Sequence, residues 1–135
     1  MEFKLICDSI FRLYLYADVC KMLHYSTSSN HEHELSDSIR DEIISFADEL
    51  AEGLFGFFGK PKFGDMSIDV DIQKTNDLGK LCQLVVNVVE PIRTQSLKND
   101  KLSGIVSIID DFKQTMSKNA FLATFDKVSN YTMKK

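Results

Sequence analysis

Apolar residues near the start of the chain fall at Phe3, Ile6, Ile10, Leu13, Ala17 and Cys20, and the series runs on to His24. The intervals alternate between three and four, which is the seam of a helix packed in a bundle. Lys4, Asp8, Arg12, Asp18 and Lys21 interrupt the segment, so it predicts an amphipathic helix rather than a membrane span. His24 continues the buried stripe, where an imidazole needs a hydrogen-bond partner. Tyr25 to Ser29 is a polar turn. Ser29 followed by Glu32 fits a capping box, which starts the second helix near Asn30. A turn this short makes the first two helices antiparallel neighbours and folds His24 back beside His33.

The second helix divides into three faces when projected at about 100° per residue. Leu35, Ile39, Ile43, Phe46, Leu50, Leu54 and Phe57 form a broad apolar face, assigned to the core. Glu42, Ser45 and Glu49 form a polar face for solvent. The third face holds His33, Asp37, Asp48 and Glu52, interleaved with Ile44, Ala51 and Phe55. A merely solvated face does not call for Ile44 and Phe55 among its carboxylates. A face packed on a partner helix does, and Ala51 lets that helix approach closely.

Gly53, Gly56 and Gly59 weaken the helix end and Lys60-Pro61 stops it. Phe63 to Ile72 reads as a connection; its alternation imitates a strand, but no second strand is available to pair with it. A third helix is predicted over about Asn76 to Leu97, with Leu78, Leu81, Val85, Val88 and Ile92 as its seam. Pro91 lies inside it and predicts a kink. A fourth helix begins near Asp100, turns Leu102, Ile105, Ile109, Phe112 and Met116 inward, and fades near Phe125. Its phenylalanines read as core and Asp110-Asp111 as a solvated pair. The fold class is therefore all-α: an antiparallel four-helix bundle forming one domain over 1–135, with a short, mildly basic tail from Asp126 to Lys135.

Composition narrows the function classes. At 135 residues with 44% hydrophobic and 27% charged residues, the chain is an ordinary globular domain with room for one core. The start lacks the long apolar segment of a signal peptide, and no apolar run reaches membrane-spanning length. The three cysteines, Cys7, Cys20 and Cys82, are odd in number and have no C-x2-C spacing. They read as reduced thiols in an intracellular, cytoplasmic setting. A net charge of −4 argues against a dedicated nucleic-acid surface.

Candidate chemistry gathers on the second helix. His33 and Asp37 are four apart, as are Asp48 and Glu52, so each pair occupies one face about one turn apart. Asp37 and Asp48 are separated by eleven positions, so the two pairs point nearly the same way but stand about 16 Å apart along the axis. No single ion spans that distance. Either the pairs are two unrelated sites, or each is half of a site completed by a second, antiparallel copy of the helix. A two-fold axis at mid-helix sets His33 and Asp37 of one chain opposite Asp48 and Glu52 of the other, which is the reading favoured here.

A histidine ending the first helix, followed by H-x3-D-x10-D-x3-E on the second, resembles the signature of the Dps-like mini-ferritins, the DNA-binding proteins from starved cells. His33, Asp37, Asp48 and Glu52 match the second-helix spacing at every position, and Tyr25 follows His24 as an aromatic usually does in that family. The helical layout is similar over most of the chain, more weakly beyond Gly59. The compact form is also similar to Dps-related proteins of some bacteriophages. The family's interval between the two histidines is longer than the nine residues here, so His31 is an alternative to His24.

The resemblance implies a ferritin-like bundle with a short helix in the connection between helices two and three. It also implies that His24, His33, Asp37, Asp48 and Glu52 hold iron at a site shared by two subunits, where peroxide or oxygen oxidises the ferrous ion. The oxidised iron then enters the hollow of a dodecameric shell built from dimers, storing iron or detoxifying iron and peroxide. Imidazole and carboxylate ligands suit iron, and anionic oxygens favour the ferric product. Tyr25, if near the metal, would quench a stray oxidising equivalent. The first helix is expected to start almost at Met1, with no basic extension before it. Lys127, Lys134 and Lys135 are a thin substitute, so DNA binding is expected to be weak or absent. Single-chain di-iron bundles use E-x-x-H pairs, and no histidine here has a glutamate three residues before it. The rival reading is a non-catalytic shell or adaptor bundle with a relic metal site.

Overall fold

Ser29 and Asp77 each begin a long helix in the same way. Their side chains accept the backbone N–H of the residue three further on, Glu32 at 3.2 Å and Lys80 at 3.0 Å, which satisfies one of the donors that every helix N-terminus leaves open. The computed structural model of the chain describes residues 1–62, 64, 67–69 and 77–125. It contains helices α1 (Phe3–Ser26), α2 (Asn30–Phe58), α3 (Leu78–Ser96) and α4 (Ser103–Leu122), with a single 3-10 turn over Asp100–Leu102 leading into α4. The four helices pack against one another, and no strand occurs among the described residues. The short helix expected in the connection and the tail from Asp126 lie outside the described residues.

Cross-helix contacts set the direction of each helix. His24 meets His33, and one turn further from the bend Lys21 meets Asp37, so α1 and α2 are antiparallel. Moving outward along α2, His31 meets Leu122, Glu42 meets Asn119, Phe46 stacks on Phe112 at 3.8 Å, and Gly53 faces Ile105. The partners descend as α2 ascends, so α2 and α4 are antiparallel. Arg93–Asp110 and Glu90–Lys113 do the same for α3 and α4. It follows that α2 and α3 run in the same direction. The connection 59–77 therefore joins two parallel helices. Within it, the Asp69 carbonyl accepts from Arg12 Nη1 of α1 at 3.0 Å.

The core is the inward seam of all four helices: Leu13, Ile39, Ile43, Leu50, Leu81, Val85, Ile92, Ile109 and Met116 are all essentially sealed. Each such aliphatic side chain contributes about 1.5–3 kcal/mol by leaving water. In α3 the seam takes in Cys82 and Val89, and Val88 is only half-buried. The helix continues through Pro91.

Four expectations are corrected. Phe57 is exposed, edge-on to Phe58 at 4.8 Å, because it lies one turn past Gly53, where α2 already faces the first turn of α4. Phe121 and Phe125 are exposed and edge-on to each other at 5.1 Å; at about 100° per residue Phe121 falls on the side of α4 away from the Ile109, Phe112 and Met116 seam, and Phe125 lies past the helix end. Asp110 is not simply solvated: both its oxygens accept from Arg93, at 2.6 and 3.3 Å. Glu42 is half-buried and accepts from Asn119 Nδ2 at 3.3 Å, so one member of the supposed solvent face closes the α2–α4 seam.

All three cysteines are free and buried. Burial, with the Glu42 and Asp77 carboxylates adding to it, pushes the Cys82 thiol up to about 12. Burial raises Cys20 further still, and Cys7 in the same direction.

Leu50→Ala removes a fully buried side chain from the seam and is expected to cost about 2–5 kcal/mol in urea unfolding. Ser29→Ala, which loses only the cap, is expected to cost about 1 kcal/mol. A Leu50→Ala loss no larger than the Ser29→Ala loss would contradict the packing described.

Candidate metal centre

The bend between α1 and α2 brings two histidines face to face. The rings of His24 and His33 stack with centroids 3.6 Å apart and planes 23° from parallel. Each Nδ1 reaches across to the other residue's backbone: His24 Nδ1 to the His33 carbonyl at 2.6 Å, and His33 Nδ1 to the His24 carbonyl at 2.9 Å. A carbonyl only accepts, so both Nδ1 atoms carry the proton, and in the neutral form of either ring the lone pair is left on Nε2. Nδ1–H to a backbone carbonyl is the arrangement that fixes the orientation of metal-ligating histidines. The His24 carbonyl lies in the last turn of α1, where a carbonyl lacks a helical partner, so the same bond also finishes the helix. Ser36 Oγ donates to the His33 carbonyl as well, at 3.0 Å.

Asp37 lies one turn along α2 from His33. Its Oδ1 is 3.5 Å from His24 Nδ1 and accepts from Lys21 Nζ at 3.0 Å. The Lys21 hydrogen bond, with the nearby charges of His24, Lys21 and Arg40 helping, holds the Asp37 carboxyl below the usual carboxylate range, against the opposing effect of desolvation. Lys21 also stands 5.5 Å from the centre of the Tyr25 ring, and Tyr25 meets His24 edge-on at 5.4 Å.

His31 does not join this group. Its Nε2 bonds the Leu122 carbonyl at 2.7 Å and its ring stacks on Phe125 at 5.8 Å, which ties the start of α2 to the end of α4. Of the two histidines left open by the sequence, it is His24 that meets His33.

Asp48 and Glu52 are exposed, further along the same helix. Ile44, Ala51 and Phe55 lie between and beside them, half-buried at the edge of the core. The single chain thus places three of the five predicted residues together and leaves the other two apart. Among the described residues, no three His, Cys, Asp or Glu side chains are arranged to hold a metal ion within one chain. On the outer side of α1, Phe11, Tyr14, Met22 and Tyr25 are exposed at helical spacing.

Lys21 is the residue that sequence reading missed. In an antiparallel hairpin, positions equally far from the bend lie level. Lys21 and Asp37 each stand about one turn beyond the level histidine pair, and that signal was present in the sequence. No protein-family model, no curated protein and no solved structure matches this chain. No helix is long and apolar enough to cross a membrane among the described residues.

Lys21→Met is expected to return the Asp37 midpoint upward to the ordinary carboxylate range, read from the carboxyl carbon shift in a pH titration by NMR. Because the folded-state midpoint is lowered, the pair stabilises the hairpin above the ordinary range and is lost as pH falls through the lowered value. An unchanged midpoint would remove Lys21 as the cause.

Proposed function

We propose that the chain is a subunit of a Dps-like mini-ferritin, which binds ferrous iron between two copies and oxidises it. The observation that carries this reading is the His24–His33 pair: both imidazoles are fixed in the tautomer that leaves Nε2 free, with the Asp37 carboxylate beside them. Imidazole nitrogen and carboxylate oxygen are ligand types that suit iron, and in this proposal the Asp48 and Glu52 carboxylates of a second copy would add to those of the bend. The bundle supports the reading too. Antiparallel neighbours with one long crossover between α2 and α3 are the connectivity of ferritin-like folds.

Iron here is substrate. Two ferrous ions give one electron each to hydrogen peroxide, whose O–O bond breaks, and with two protons it leaves as two waters. Dioxygen is the alternative oxidant. The chain's own part is to hold the ferrous ion on His24 and His33, favour the ferric charge with Asp37, Asp48 and Glu52, and keep the imidazoles oriented through their Nδ1 bonds. The exposed α1 stripe and the half-buried Ile44 and Phe55 are the apolar surface on which the second copy would pack. Closure of such dimers into a twelve-subunit shell extends the same proposal.

One observation favours a second reading. The Lys21–Asp37–His24–His33 group satisfies itself within one chain, and so would serve a non-catalytic bundle as a clasp for the α1–α2 bend.

The two readings part on mixing. His33→Ala and Asp48→Asn are each expected to abolish iron oxidation above the buffer rate, because each spoils every shared site. Mixed, unfolded and refolded together, the two variants regenerate one intact site in every mixed dimer. About a quarter of wild-type activity should therefore return. Wild-type protein that does not speed ferrous oxidation would leave the clasp reading standing, and activity that mixing never restores would put the site inside one chain.

A further inference from the structure

The seam between α2 and α4 opens outward into a groove whose walls carry one sign of charge. Asp41, Glu42, Glu49 and Asp111 stand around it, and no lysine or arginine lines it among the described residues. Its floor is apolar: Phe46 and Phe112, stacked at 3.8 Å, and the half-buried Ile108. Asp41 pairs with Arg40, and Glu42 accepts from Asn119. Glu49 and Asp111 are exposed, and no lysine or arginine among the described residues pairs with either. Carboxylates around an apolar floor fit a basic segment with apolar side chains between its charges.

The chain delivers such a segment to that place. Phe125, the last described residue before the tail, stacks on His31, so the chain leaves α4 beside the start of α2. His31, Glu42 and Glu49 lie within about 20° of one another around α2, so the groove continues the stripe that His31 begins. His31 and Glu49 are eighteen positions apart, about 27 Å of helix. The ten residues 126–135 reach about 33 Å when extended, enough to cover that length. At this rise Tyr131 comes close to the level of Phe46, and Lys134 and Lys135 come within side-chain reach of Glu49 and Asp111.

We propose that the basic segment 127–135 folds back along this groove, setting Lys134 and Lys135 on Glu49 and Asp111 and Tyr131 over the Phe46–Phe112 stack. The segment runs antiparallel to α4 and covers the α2–α4 seam from outside. The inference does not rest on the iron reading.

The test is zero-length carbodiimide cross-linking of the full chain, which joins a lysine amine to a carboxylate in contact with it, read by mass spectrometry of the peptides. Glu34 is the internal control, because it is exposed and lies nearer than the groove carboxylates to the place where the tail begins. Lys134 and Lys135 should couple to Glu49 and Asp111 about fivefold more than to Glu34, the range of a solvent-exposed ion pair. In about 1 M salt, where the screening length is roughly 3 Å, that excess should fall. Tyr131→Ser should lower it too, since the apolar contact holds the segment between its charges. Coupling no more frequent at Glu49 and Asp111 than at Glu34 would overturn the proposal. Products joining heavy to light chains, in isotopically heavy and light protein refolded together, would overturn it as well by placing the segment on a second copy.

Discussion

Two imidazoles facing each other across a helical bend, each bonded to the other's backbone, lock α1 and α2 in both level and rotation. Apolar packing alone leaves some freedom for one helix to slide or turn against its neighbour, because ridges of similar side chains offer more than one good fit. A pair of side-chain-to-backbone bonds does not. Shifting either helix by one residue would swing one ring away by about 100° and break both bonds. The position of Asp37 beside His24, and of Lys21 beside Asp37, follows from that lock, and the outer surface of the α1–α2 layer is set with it.

The other half of the molecule is held in register by charge. Arg93 reaches Asp110 with two bonds, and Lys113 reaches Glu90 at 2.6 Å one turn away. These pairs are largely solvated and individually weak, so their part is to define the register between α3 and α4 more than to stabilise it. The long return from α2 to α3 has a structural consequence: it makes every helix antiparallel to its contacting neighbours. One side of the α1–α2 layer packs on α3 and α4, and the exposed Asp48 and Glu52 lie on its other side.

Much of this was legible in the chain itself. The alternating three-and-four seam from Phe3 to Cys20 gives α1 its core face, and Ser29 with Glu32 marks the start of α2 to the residue. Periodicity identifies a face, but not how far its neighbours extend. Phe57 continues the apolar pattern past the level where α4 begins, and Phe121 and Phe125 stay exposed at the other end of α4. It also does not identify partners between elements, which is why Asp110 with Arg93 and Glu42 with Asn119 were missed. At the candidate site the spacing of His33, Asp37, Asp48 and Glu52 could be read directly because all four lie on one helix. The choice of His24 over His31, and the arrival of Lys21 at Asp37, depend on rotation about the bend, and single-helix spacing carries no information about that.

Thiols are among the most oxidisable side chains of any protein, and the bundle buries all three of this chain's cysteines. Peroxide attacks sulfur through the thiolate, and a thiol whose ionisation is displaced to about 12 spends almost none of its time in that form at neutral pH. Cys20 is displaced further, behind the same apolar wall. A fold that seals its thiols this thoroughly can sit in an oxidising flux without sulfenic acid or mixed disulfides forming on them, whatever produces that flux.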